Sequence, residues 1–245
     1  MLADVWTIVW KEWKELLAAS SGFRGGRLGV LIFVGVFGVF LPLQSGRAWV
    51  DSPIGLLYWA WVPLFLVNSV IADSFAGERE RRTLETLLAS RLSDRAILLG
   101  KMAAAVSYGW GLSLVGIVLG LITVNVTSAD GTLLLYPPGI GLGIALLSLL
   151  TSCLVAGAGV LISLRAATVR QAAQTVSIAV MLLLFVPIFG LQALPLELRI
   201  NLAKIAMGIE TTQAVLAASG ILAVLDVALF LAASSRFQRA KLILS

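Results

Sequence analysis

Long apolar runs alternate with short charged segments along most of the chain. Six runs stand out, at about 28–46, 54–76, 97–124, 139–164, 172–194 and 213–235. Each is long enough for a helix across a hydrocarbon core of about 30 Å. Helix is the expected form, because an open strand would leave backbone groups unpaired in lipid. The first 20 residues follow a different rhythm. Trp6, Val9, Trp10, Trp13, Leu16 and Leu17 recur at three- and four-residue spacing, with Asp4, Lys11, Lys14 and Glu15 mainly on the other side. That pattern predicts an amphipathic helix lying in the headgroup layer, with its tryptophans toward lipid and its charges toward water. No apolar core of a cleavable leader is visible in it. The expected fold is therefore an all-α integral membrane bundle of six spans in a single unit, 1–245, preceded by an interfacial helix at 1–20.

Composition supports this class. The chain has 245 residues, of which 59% are hydrophobic and 13% charged, with a mean hydropathy of +0.99. Soluble domains are nearer 45–50% apolar and about 25% charged. There is no histidine, and the one cysteine, Cys153, sits in an apolar run. An internal disulfide, a Cys/His metal site and a histidine-based triad are thereby excluded. Fifteen of the 18 basic residues fall with the N-terminal helix, the 79–101 stretch, the 165–170 stretch and the C-terminal end. Arg47, Arg199 and Lys204 fall on the opposite side. The positive-inside rule then puts both termini in the cytoplasm of a multi-pass protein of the cell membrane, as an even number of spans requires. In such a protein the basic balance reads as loop charge beside membrane lipids, not as nucleic-acid binding. The outer loops are short: about 47–53, 125–138 with its helix-stopping Tyr136-Pro137-Pro138, and 195–212, which predicts a short helix at the outer interface.

The most informative segment follows the second span. Ile54 to Ile71 carries no charge, and then five charged residues come in a row, Glu78 to Arg82. Read as one helix over 78–90, Glu78 pairs with Arg82 and Arg81 with Glu85 at i,i+4, each pair contributing about 0.2–0.5 kcal/mol. Leu84, Leu87 and Leu88 form one stripe, and Ser93 is placed to cap the next helix. Taken alone, the pattern fits a solvated loop helix and a protein-docking helix equally well.

The stretch SFAGERERRTLETLLASRLSDRAILLGK, residues 74–101, resembles the segment after the second span in ABC transporter permeases of the type-2 exporter class. The matching residues are Glu78, Glu80-Arg81, Thr83-Leu84-Glu85, Leu87-Leu88 and Gly100-Lys101. The likeness extends more weakly over the whole chain, in the amphipathic start, the six spans and the longer loop before the last span. The resemblance implies a coupling helix that docks on a separate cytoplasmic ATPase, with Glu78, Arg79, Glu80, Arg81, Arg82, Thr83, Leu84, Glu85, Leu87 and Leu88 at the contact. It also implies a second permease copy, identical or related, and export driven by ATP and Mg bound in the partner. This chain itself shows no catalytic set and no cofactor site. Its nearest approach to a phosphate-binding loop has Arg95 in place of the first glycine and Met102 in place of the hydroxyl residue.

Four polar residues within the spans complete the candidate set: Asn68, Asp73, Lys101 and Asp226. Charges in lipid are costly and default to functional suspicion. An Asp–Lys pair between helices, a cavity open to the cytoplasm and exposure at the interface each fit this set. Gly116-x-x-x-Gly120, Gly141-x-x-x-Ala145 and Ala156–Gly159 allow close helix approach, either within the chain or at a dimer seam. An ATPase-independent channel or carrier, and a membrane scaffold for a cytoplasmic protein, are the competing functional classes.

Overall fold

The computed structural model describes the chain except for residues 20–25, 129–130 and 238–245. All regular structure among the described residues is helical. Helix α1 (Leu2–Ala19) is followed by a run of α2 (Gly26–Gly35), a π-helical turn (Val36–Phe40) and α3 (Leu41–Ser45). After them come the short α4 (Ala48–Asp51), then α5 (Ile54–Glu80), α6 (Leu84–Leu88), α7 (Asp94–Ser128), α8 (Pro138–Ser163), α9 (Val169–Ala193), α10 (Leu196–Met207) and α11 (Thr211–Arg236).

Five of these, α5, α7, α8, α9 and α11, are long and apolar enough to cross a membrane. The expected first span is the shorter apolar segment Gly29–Ser45, about 25 Å long at 1.5 Å per residue. Its middle is a π turn, in which the Leu41 amide reaches the Val36 carbonyl. The Gly38 carbonyl has Pro42, with no N–H, four residues on, and the Thr123 hydroxyl on α7 donates to it at 2.9 Å. A neighbouring helix thus satisfies the group that the proline leaves without its helical donor.

Helix α5 is the centre of the bundle and packs on α7, α8 and α9. Two large apolar cores lie along it among the described residues. One, at the end where α5 finishes, joins Ile8, Phe75, Ile97 and Leu98 to Val160 and Val176. The other, at the opposite end, surrounds Trp49 and Trp59. Small residues let the helices close up within this one chain. A Cβ at Gly159 of α8 would collide with Ile71 of α5, and one at Gly100 of α7 would lie 2.6 Å from Cβ of Ile8 on α1. Next to Gly159, the buried Ser163 hydroxyl accepts from the backbone amides of Phe75 and Ala76 at 3.1 and 3.0 Å and donates to the Ala72 carbonyl. The end of α8 is thereby hydrogen-bonded into the backbone of α5.

Both terminal helices meet this same end of the bundle. Helix α1 lies along the first half of α7, and Phe237, just past α11, packs on the ring of Phe75 at 5.0 Å. Helix α10 forms as the 195–212 loop predicts. Helices α9 and α11 keep most of their surface outward, as lipid-facing spans do.

The α5–α8 contact makes a direct test. Gly159→Ala places a methyl group against Ile71 and costs about 1–3 kcal/mol of overpacking. Gly220→Ala on α11, where nothing lies within 4 Å, is neutral or slightly stabilising. Thermal unfolding of the two variants in detergent measures the difference.

Candidate functional site

The charged segment after α5 is a turn and not the three-turn helix that its spacing suggests. Helix α5 runs on through Glu80. The Arg82 amide then bonds the Arg79 carbonyl at 3.1 Å and the Thr83 amide bonds the Glu78 carbonyl at 2.8 Å. This pair of bonds is the Schellman arrangement, which requires a left-handed residue just past the helix. Glycine usually takes that position; here it is Arg82, at φ 58°. A side chain there costs roughly 1–2 kcal/mol. Only five residues, Leu84–Leu88, form α6 beyond it. Leu84 and Leu87 rest on the apolar core below. Ser93 behaves as expected, its hydroxyl accepting from the Ala96 amide at 3.2 Å to cap α7.

The expected Glu78–Arg82 and Arg81–Glu85 pairs are replaced by others, because the turn sends these side chains apart. Arg81 forks onto Asp73 at 3.3 Å. Arg79 donates to the carbonyls of Ala166 and Leu164 and so closes the end of α8. Glu80 accepts from the Val169 amide at 3.1 Å, at the start of α9. Arg82, Thr83 and Glu85 remain on the outer surface, joined there by Thr86 and Ala89; the side chain of Leu88 lies outside the described residues.

Glu78 points inward and is 3% exposed. The Thr83 hydroxyl donates to its carboxylate. Its Oε1 also meets Lys11 Nζ at 2.8 Å and Lys101 Nζ at 3.3 Å. Lys101, 2% exposed, binds Glu12 Oε1 at 2.6 Å and lies 5.5 Å from the centre of the Phe75 ring. Lys11 adds Glu15 at 3.3 Å. Burial works against the Lys11 charge, but the Glu78 hydrogen bond and the carboxylates of Glu78, Glu12 and Glu15 outweigh it and hold the ammonium above its usual range. Glu12, Glu15 and Glu78 come within 4.8 Å of one another. Two lysine ammoniums supply the positive charge that a metal ion would bring to such a set. A groove of about 650 Å³ opens beside them, bordered by Glu15, Asp73, Arg81, Thr86 and Leu87.

This cluster corrects two expectations. Lys101 pairs with glutamates and not with Asp73, which is claimed by Arg81, about two turns further along. The charged side of α1 is in part its buried side. Ile8, Val9 and Glu12 face the bundle, while Trp6 and Trp10 are 67% and 56% exposed. Trp13 lies between, donating from its indole to the Ser107 hydroxyl at 3.0 Å. Glu12 and Lys11 are thus site residues that the spacing alone did not single out. Gly100, which lets α1 approach α7 next to Lys101, was the available signal.

The other intramembrane polar groups do not join this cluster. Asn68 donates to the Ser177 hydroxyl at 2.8 Å, tying α5 to α9, while its Oδ1 has no hydrogen-bond partner among the described residues. Asp226 stands apart in α11, both carboxylate oxygens shielded and without a hydrogen-bond partner among the described residues.

Two comparisons bear on what this architecture is. The chain is 25% identical over 210 residues to the ABC transporter permease protein NatB of Bacillus subtilis (strain 168), an alignment that takes in 76% of this chain and 54% of the relative. The chain therefore spans about half the length of that curated relative. Residues 3–207, from the first turn of α1 to the end of α10, match the family model described as ABC-2 type transporter. With its long apolar helices and its charged turn between two of them, the chain belongs to the ABC-2 type transporter family.

Proposed function

We propose that the chain is one half of an ATP-driven exporter in the cell membrane, paired with a second, identical or related permease. A separate cytoplasmic ATPase, which binds ATP and Mg, docks on the turn and short helix at 80–90. The end of the bundle that holds α1 and the charged turn is then the cytoplasmic end. ATP-driven closure of the ATPase pair pushes on the turn, and the spans rearrange around a pathway between the two permeases.

The observation that carries this reading is the backbone at Arg82. A left-handed arginine costs stability that glycine would restore, and such strain persists where the side chain is used. The side chain is exposed at the tip of the turn, with Thr83, Glu85 and Thr86 outward beside it, while Glu78 faces inward. Beneath the tip, Glu78 joins the turn to Lys101 of α7 and to Lys11 of α1. A push on Arg82, Glu85 or Thr86 is therefore delivered to α5, α7 and α1 together. The order of residues in the 74–101 stretch, shared with type-2 exporter permeases, supports the direction and the partner.

Three single variants and one double variant test this. Arg82→Glu reverses the charge at the tip and lowers both co-purification of the ATPase and ATP turnover of the assembled complex at least about tenfold, a loss of about 1.4 kcal/mol. Arg82→Gly relieves the backbone, so the chain melts at an unchanged or higher temperature while docking still weakens. Normal assembly and turnover in both variants would remove Arg82 from the contact. Lys101→Met leaves Glu78 and Glu12 buried with one cation fewer and costs about 3–5 kcal/mol. Adding Glu12→Gln to that variant recovers part of the loss, as thermal unfolding and coupled ATP turnover both report.

A further inference from the structure

The acidic and basic residues at the charged end of the bundle are not evenly mixed. The acids of that end all lie on α1 and on the stretch from Asp73 to Asp94. After Asp94 only Asp130, Glu197, Glu210 and Asp226 follow in the sequence; Asp130 is outside the described residues, Glu197 and Glu210 belong to the opposite end, and Asp226 lies within α11. Arg165 just past α8, Arg170 in the first turn of α9 and Arg236 in the last turn of α11 come with no acid beside them on those turns. Glu80 is the one acid that reaches this side among the described contacts, and it is engaged with the Val169 amide at 3.1 Å.

Between α8, α9 and α11 these ends enclose a cleft of about 440 Å³. Arg165, Arg236, Gln171 and Thr175 are its polar lining, and Leu161, Ile162 and Ala232 form its apolar walls. Neither guanidinium has an ion pair or hydrogen bond among the described residues. Gln171 spends its carbonyl oxygen on the Ala167 amide at 3.0 Å, which leaves its NH₂ group as a donor. Further along the same helices toward the membrane, Ile178 and Leu182 of α9 and Val224 and Leu225 of α11 are exposed. The cleft thus offers donors and fixed positive charge at headgroup level, continuous with greasy flanks at acyl-chain level. Guanidinium forks match phosphate oxygens better than a lysine ammonium does, and basic residues at this depth attract anionic lipid.

We propose that the α8–α9–α11 cleft is a binding site for an anionic phospholipid. Its phosphate is held by Arg165 and Arg236, and its acyl chains lie along the exposed flanks of α9 and α11. The inference needs only that the chain spans a bilayer, and it holds or fails independently of the docking turn.

The test uses the purified full chain in neutral detergent, titrated separately with phosphatidylglycerol, with phosphatidylcholine of the same acyl chains, and with inorganic phosphate. Thermal unfolding and the lipid retained per chain in native mass spectrometry are the readouts. Phosphatidylglycerol stabilises the wild type and is retained, while phosphatidylcholine and phosphate have little effect. In Arg165→Gln/Arg236→Gln the apparent affinity for phosphatidylglycerol falls at least about tenfold. Arg91→Gln/Arg95→Gln, which removes two exposed arginines at the same end, leaves it unchanged. Should the first double variant fail to run as a single species in gel filtration, Arg236→Gln alone, at the last residue of α11, is expected to lose about threefold or more. An unaltered affinity in the arginine variants overturns the proposal, as does equal stabilisation by phosphatidylcholine. So does protection by inorganic phosphate equal to that by phosphatidylglycerol, since the occupant is then a free anion and not a lipid.

Discussion

The ammonium of Lys101, buried between Glu12 and Glu78, is the contact on which the charged end of this protein depends. A lone charge at such a depth would be expelled or neutralised. Here one cation satisfies carboxylates from two other elements, and Lys11 returns from α1 to share the load on Glu78. Each group is tolerable only while the others stay. The cluster is therefore weak evidence of stability in itself and strong evidence of mutual position. It fixes α1, the end of α5 and the start of α7 with respect to one another, across a gap that apolar contact alone would leave free to slide.

That constraint explains why the turn beyond Glu78 can be both strained and well placed. Arg79, Glu80 and Arg81 are each spent on the bundle, on the end of α8, the start of α9 and Asp73 respectively. Glu80 and Arg81 stay exposed while making these ties, and beside them Arg82, Thr83, Glu85, Thr86 and Ala89 face outward. A run of five charges looks like a water-facing helix, yet most of it is internal fastening. In the proposed exporter this arrangement makes the docking surface compact and its connection to the spans stiff.

The spans were legible because lipid allows few alternatives. Runs such as 139–164 and 213–235 predict helices that the structure shows within a few residues, and Ser93 announces the start of α7. The misreadings have specific physical causes. The turn at Arg82 lacks the glycine that marks a helix end, so the leucine spacing at 84, 87 and 88 extended one helix where there are two. In α1 a stripe of tryptophans marks the lipid side, but the opposite side is divided between solvent and a buried carboxylate. Whether Glu12 is buried depends on Lys101, which comes from far along the chain, and spacing within α1 carries no trace of it. The first span is interrupted at Gly38 by a π turn whose support, Thr123, is equally remote. Small residues showed that helices approach closely, but only the tertiary structure shows that Gly159 and Gly100 serve contacts within this chain.

The central claim is that α1, the end of α5, the start of α7 and the docking turn move as one body. Spin labels at Trp6→Cys and Glu85→Cys, in a Cys153→Ser background, place a probe on the exposed face of α1 and on the exposed face of α6. Their distance distribution, measured by pulsed electron spin resonance in the assembled complex with and without ATP, is predicted to keep the same peak and width. A shift or broadening of that distance on adding ATP, with Lys101 intact, would contradict the account.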